Sequence, residues 1–281
     1  MLRLRPPDWI NIAAFCWFLV LAWFRGRNLG WFKRAKISAI GLGGIAITLF
    51  VAVALPGIAG DRVATEVWRW ISYLLMLMFY WQGGQFVTRA DTAFEARLEG
   101  IDLRLVKPLL EWCAARRAGR WLLSYLELSY LLCYVSMPLG LATMYLWHLQ
   151  GRADRFWTVV LLATYPCYAL LGVLQTRPPR SIGEKWSGPL LSGKIRAFNL
   201  FILRHASIHA NTFPSAHVAS TAACSLVLLE LGPTAVGLGF LWIAISIAMG
   251  AVAGRYHYAA DGILGFALAI AALGIDRAIA G

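Results

Sequence analysis

Apolar runs of membrane-crossing length constrain this chain more than any other feature. ISAIGLGGIAITLFVAVALPGIAG (37–60) and GLGFLWIAISIAMGAVAG (237–254) carry no charge at all. About 20 apolar residues suffice to cross the hydrocarbon of a bilayer as a helix. Eight stretches fit that description or approach it: about 9–24, 37–58, 66–87, 121–147, 156–176, 214–231, 234–253 and 258–275. Only 14% of the residues are charged, well below a soluble domain. The expected fold is therefore all-α: a polytopic transmembrane helix bundle of about eight spans. Gly41, Gly43 and Gly44 in the second span permit close helix packing. Trp9, Trp68, Trp70, Trp81, Trp121 and Trp147 stand near span ends, where interfacial aromatic belts form.

The formal net charge of +12 would suggest nucleic acid in a soluble protein. Here the basic residues sit in loops between apolar spans, so lipid headgroups and topology account for them and no nucleic-acid partner is expected. The five cysteines are scattered without paired spacing, as free thiols acting as small hydrophobes would be. At the N-terminus Arg3 and Arg5 precede an apolar core, but no small-residue cleavage site follows, which reads as an uncleaved first span.

One segment differs from the rest. In TAFEARLEGIDLRLVKPLLEWCAARR, Phe94, Leu98, Ile101, Leu105, Leu109 and Trp112 recur every three or four residues with charges between them. That is an amphipathic helix, expected to lie in the interface on account of its basic polar face and to kink at Pro108; a solvated helix packed on the bundle is the alternative. The chain thus divides into N-terminal spans (1–88), an interfacial helix and loop (89–120) and a membrane core (121–281).

The informative polar groups gather in three places: LQTRPPRSIGEK (174–185), NTFPSAHVAS (211–220) and GRYHYAADG (254–262). With the spans counted above, all three fall on one membrane face. In the third, His257 and Asp261 are four apart and share a helix face, so the carboxylate can fix the imidazole tautomer and leave the other nitrogen free to attack an electrophile. Arg255 can aim at an anion near the same mouth. A structural His–Asp pair would show the same spacing. In the second cluster Pro214 suits a first helical turn, Ser215 and the free amides there can hold an anionic oxygen, and His217 can donate a proton. An N-cap by Thr212 or Ser215 beside an incidental histidine is the plainer reading of that stretch alone. Arg177 and Arg180 in the first cluster match phosphate oxygens, or simply anchor the span on the positive side.

Taken together, R-P-P-R, F-P-S-A-H and R-Y-H-Y-A-A-D resemble the type-2 phosphatidic acid phosphatase (lipid phosphate phosphatase) superfamily, whose pattern is K-x6-R-P, then P-S-G-H, then S-R-x5-H-x3-D. The matching parts are Arg177–Pro178, Pro214 through His217, and His257 through Asp261, spread over roughly residues 120–275. Leu170 stands where the lysine would be, Ala216 where the glycine would be, and Ala251 where an arginine would precede the nucleophile, with Arg255 nearer to His257. The R-Y-H-Y-x-x-D form with P-P-R upstream is more similar to the branch containing inositol-phosphorylceramide synthases. The resemblance implies a membrane phosphatase or phosphotransferase acting on a lipid-linked phosphate. It further implies that Arg177, Arg180, Ser215 and Arg255 hold the phosphate. His257 would form a phosphohistidine, oriented by Asp261, and His217 would protonate the leaving oxygen. No cofactor and no metal are implied.

Other polar residues remain open. Glu127 lies in the fourth span and could meet an acceptor hydroxyl or hydrogen-bond a tyrosine such as Tyr130. Lys185 and Lys194 could contact headgroups or mark the cytoplasmic face. His205 and His209, four apart, raise a metal site, but no further ligand surrounds them in sequence. A transporter is the rival class; it predicts charges in mid-span on several helices, whereas these gather at one end. Arg25, Arg27, Lys33, Arg34 and Lys36 in the first loop, with seven arginines and lysines between 89 and 120, place the active face in the cytoplasm of what is expected to be a bacterial inner membrane. A single cysteine introduced between 177 and 213 should then stay unlabelled by an impermeant thiol reagent applied to intact cells; external labelling would reverse the orientation.

Overall fold

The computed structural model describes residues 4–24, 29–182 and 193–280; Arg3, Arg25, Arg27 and Lys185 lie outside them. Every regular element among the described residues is helical, apart from one isolated antiparallel bridge between Thr176 and Asn211. The helices are α1 (Pro6–Phe24), α2 (Trp31–Leu49), α3 (Leu55–Ala59), α4 (Asp61–Gly84), α5 (Thr92–Ala114), α6 (Arg117–Leu131), α7 (Ser136–Leu146), α8 (Ala153–Ala169), α9 (Lys194–Ala206), α10 (Ala216–Leu231), α11 (Thr234–Ala253) and α12 (Ala259–Ala280).

Each expected span coincides with helix, but not every helix meets the length and apolarity of a crossing. Four do: Pro6–Phe24, Trp31–Ala59 through a π-helical turn, Thr234–Ala253 and Ala259–Ile279. The expected fourth span is broken. Arg117–Tyr134 and Ser136–Leu146 meet at 70°, and would make a fifth crossing only as a bent pair. α8 and α10 are shorter, at 17 and 16 residues.

α10 is the central helix and packs against α7, α8, α11 and α12. Its small residues explain this: Ala219, Ala222, Ala223 and Cys224 are fully buried, and small side chains let backbones approach closely. Gly265 of α12 extends the closeness to the start of α10, since a Cβ there would come within 2.8 Å of the Ser215 carbonyl oxygen. In the N-terminal part, Phe15, Phe18 and Phe79 form a buried aromatic cluster. Gly41 and Gly44 are in close contact as expected, Gly44 directly against the Phe15 ring, whereas Gly43 faces open space up to Met78. All five cysteines are free and four are buried.

α5 runs unbroken through Pro108, and its exposed apolar stripe is the arrangement an interfacial helix needs, although Leu98 of that stripe is buried. Ile101, Leu105, Leu109 and Trp112 point outward, while Glu95, Glu99 and Asp102 are buried beneath the helix. The apolar side is therefore the exposed one, suited to lipid contact, and an acidic stripe faces the protein.

At the ends of α10 and α12 remote from residues 215 and 261, Arg155 of α8 bonds Asp276 at 2.6 Å and Glu230 at 2.5 Å. Arg277 also bonds Glu230. Arg155→Met would leave the buried Asp276 without its cation and Glu230 with Arg277 alone. A loss of roughly 1–3 kcal/mol is expected, read as a lower unfolding midpoint in detergent micelles.

Candidate active site

The three polar clusters meet at one end of the bundle because the chain ties them together through a single buried carboxylate. Asp261, in the first turn of α12, is fully buried. Its Oδ2 accepts from the Tyr258 amide at 3.1 Å and from Asn211 Nδ2 at 2.8 Å. His257 Nδ1 lies 3.1 Å from the same oxygen. The Asp261 carbonyl accepts from the Ser215 amide at 3.0 Å. Asn211 in turn pairs with Thr176, backbone to backbone at 2.8 Å and side chain to side chain at 3.1 Å. The Arg180 amide donates to the Arg255 carbonyl at 3.0 Å. Residues 176–180, 211–217 and 255–261 are thus stitched into one unit.

This stitching decides the chemistry of His257. An ionised carboxylate only accepts hydrogen bonds, so the contact holds the proton on Nδ1 and leaves Nε2 with its lone pair. His257 is 5% exposed, and its ring lies 5.9 Å from that of His217. His217 is clamped edge-on by Tyr130 and Tyr134. Both histidines line a cavity of about 260 Å³ together with Arg180 and a set of aromatic side chains including Tyr80, Trp81, Tyr134 and Tyr256. The Arg180 guanidinium lies 5.5 Å from the Tyr256 ring centre, and burial weakens its hold on its proton. Among the described residues no carboxylate is paired with Arg180, so it presents a cation to the cavity.

The other expected phosphate ligands are placed differently. Arg177 is half exposed and forks onto Glu95, with Nη2–Oε2 at 2.8 Å, and the same carboxylate accepts the Arg177 amide at 2.6 Å. Arg255 donates to the Pro179 carbonyl at 2.9 Å and stands 3.9 Å from Glu99. It is held at a positive φ of 55° between α11 and α12. Ser215 is the N-cap of α10, its hydroxyl accepting the Val218 amide at 3.4 Å. Pro214 precedes the cap rather than opening the first turn. His217 does fall in that first turn.

Glu127 bonds Tyr256 rather than Tyr130. It accepts from the Tyr256 hydroxyl and from Asn199 Nδ2 at 2.9 Å, with Arg196 at 3.5 Å. Arg196 also donates to the Gly254 carbonyl at 2.6 Å and lies over the Tyr256 ring. Tyr256 stacks on Tyr130 with ring centres 4.0 Å apart. This group is a buttress behind the residue that precedes His257. His205 is exposed and bonded to the Phe201 carbonyl, and His209 is exposed too. No group of three or more His, Cys, Asp or Glu side chains able to hold a metal occurs among the described residues.

The sequence reading missed Asn211 and the acidic stripe of α5. A signal for the stripe existed: Glu95, Glu99 and Asp102 follow i, i+4, i+7 spacing and so share one face of the helix. Asn211 carried no signal, because an asparagine before a proline turn is ordinary loop chemistry.

At one end of the helical bundle, two imidazoles and a guanidinium thus line one cavity, with a carboxylate behind one imidazole. Residues 98–275 match the profile of the PAP2 superfamily, and the chain belongs to that superfamily of phosphatases and phosphotransferases. The match begins inside α5, so the acidic stripe falls largely within the family region. No curated protein and no solved structure matches the chain. Family and apolar helices together make it a membrane protein and a phosphatase-type lipid phosphate enzyme.

Asp102 accepts the Ala259 amide at 3.2 Å and its carboxyl is pushed up to about 6, chiefly by burial, with smaller opposing effects of that amide and of Arg255. The raised value means the folded state holds this proton more tightly than the unfolded chain. The associated stability is complete below about pH 4 and is lost as pH rises through about 6. Asp102→Asn should therefore flatten the thermal stability profile across that interval; an unchanged profile would show that other groups govern it.

Proposed function

We propose that this protein hydrolyses or transfers the phosphate of a lipid-linked phosphate through a phosphohistidine on His257. The observation that carries the proposal is the pair of imidazoles facing one cavity 5.9 Å apart, with Asp261 behind His257. In this reading Arg180 holds the phosphate oxygens from within the cavity. Arg255 and the first turn of α10, capped by Ser215, add positive potential at its edge, and Arg177 steers the headgroup from its half-exposed position beside Glu95. Nε2 of His257 attacks phosphorus as the bond to the leaving oxygen breaks, and His217 supplies the proton to that oxygen. In the second step His217 takes a proton from the acceptor, whose oxygen displaces His257 and regenerates it. Guanidinium groups and helix-end amides offset the charge on the transferring group, so the reading needs neither metal nor cofactor.

Transfer to an alcohol is the second reading, in the manner of the inositol-phosphorylceramide synthase branch. It is favoured by the aromatic lining contributed by α4, α6 and α8, which would shelter the phosphohistidine from water. The membrane arrangement in both readings has eight crossings, with α4, α8 and α10 added to the four long apolar helices and the bent pair counted once. The N-terminal spans (1–88) then support a catalytic core (121–281), and α5 lies along the interface. The bilayer and a lipid-linked phosphate are the partners, with no role for nucleic acid.

Purified protein incubated with a panel of lipid phosphates, with and without acceptor alcohols, separates the two. Free phosphate alone indicates hydrolysis, and a new headgroup indicates transfer. His257→Ala should fall to the blank rate and His217→Ala by roughly 10²–10⁴-fold. Full activity should persist with chelators present. Turnover surviving His257→Ala would sink the mechanism, and chelator sensitivity would return His205 and His209 to consideration.

A further inference from the structure

On the flank of the bundle, bounded by α5, α6, α11 and α12, lies a second cavity of about 670 Å³. Its walls are almost wholly apolar, and include Leu109, Trp112, Leu122, Met249, Ile263 and Phe266. Gly262 shows that the space is open rather than loosely packed. It is a buried residue, yet a Cβ added there would meet nothing within 4 Å.

This groove is not an arm of the catalytic cavity. The two share no lining residue. Between them α6 packs on α11, where a Cβ at Gly250 would come within 2.3 Å of the Leu126 carbonyl oxygen. A chain lying in the groove could not place its own headgroup on His257 through that contact.

The charge at one end of the groove indicates what would fill it. Arg116, Arg117 and Arg120 are exposed at the corner joining α5 to α6. The Arg116 guanidinium lies 4.0 Å from the ring centre of Trp112, which lines the groove, and donates to the Trp112 carbonyl at 2.9 Å. Arg120 donates to the Ala114 carbonyl at 3.3 Å, which holds it at the same corner. Glu111, the nearest acid on α5, is 3.8 Å from Lys107. Apolar walls of this volume beside three cations match one kind of occupant: acyl chain in the groove, anionic headgroup on the arginines.

We propose that the α5–α6–α11–α12 groove is a binding site for an anionic diacyl phospholipid, distinct from the substrate site. The occupied groove would fasten α5 to α12. It is α5 that carries Glu95, Glu99 and Asp102, the carboxylates meeting Arg177, Arg255 and the Ala259 amide. The bound lipid thus supports the loop that presents His257, without touching the reacting atoms.

The test uses the full chain in mild detergent, titrated with phosphatidylglycerol or phosphatidylcholine and read by native mass spectrometry. One phosphatidylglycerol per chain should remain bound under conditions that strip phosphatidylcholine. Gly262→Leu should fill the groove and abolish that retention. The combined Arg116→Ala, Arg117→Ala and Arg120→Ala variant should weaken phosphatidylglycerol roughly tenfold or more while leaving phosphatidylcholine unchanged. Equal retention of the two lipids by the wild type, or phosphatidylglycerol binding that survives the arginine changes, would overturn the proposal. The arginines are exposed, so that variant decides the matter even if Gly262→Leu fails to fold. None of these outcomes depends on the phosphohistidine reading, because binding is measured without turnover.

Discussion

The carboxylate of Asp261 is the contact on which this active end depends. A fully buried carboxylate is unfavourable unless its lone pairs are met, and removing one donor from such a group costs more than the bond itself contributes. Here the three donors come from two places in the sequence: Asn211 from the loop before α10, and the His257 ring and Tyr258 amide from the loop before α12. Meeting the charge at Oδ2 therefore joins these two segments, and Asn211 brings in a third through Thr176. It also fixes the tautomer of the imidazole proposed as nucleophile, so assembly of the site and preparation of its chemistry are the same event.

A second constraint is the balance of cations around the cavity. Arg177, Arg180, Arg196 and Arg255 crowd one end of the bundle, and their mutual repulsion would be severe at low dielectric. Carboxylates are interleaved with them. Glu95 takes Arg177, Glu99 stands near Arg255, and Glu127 meets Arg196 through a network that includes Tyr256. Arg180 faces the cavity beside the Tyr256 ring, with no carboxylate paired to it among the described residues. The potential of the site is thus concentrated where an anionic group would enter, while the remaining cations are compensated from outside. Two of these acids come from α5, a helix whose lipid-facing apolar surface and inward acidic stripe give it a role in the bilayer and in the site at once.

Much of the site was legible beforehand because it rests on local spacing. His257 and Asp261 do meet across the four-residue offset, although His257 lies in the loop before α12 and not on the shared helix face that the spacing predicts. His217 in the first turn of α10 follows equally from the cap that precedes it. Four of the long spans were legible for the same reason, since an uncharged run of that length has few other solutions. The break between α6 and α7 was not, because Leu132 through Val135 is as apolar as its flanks and the 70° bend is set by packing. The exposed apolar face of α5 is the one an interfacial helix needs, but the pattern alone did not say that Glu95, Glu99 and Asp102 would be buried beneath it. Apolar residues normally turn inward, but beside a membrane the lipid is the apolar phase and the protein interior offered arginines instead.

The amino-acid sequence by itself determined an all-helical membrane protein, the His257–Asp261 pair, and three basic or histidine-bearing clusters in an order that resembles one enzyme superfamily. Only the tertiary structure decided which cations serve the cavity. Arg177 and Arg180 are indistinguishable as neighbours of two prolines. They part company because Glu95, eighty-two residues before Arg177, reaches the first and no described carboxylate reaches the second. Ion pairs of that kind form between helices, and a linear pattern holds no record of which helices will touch.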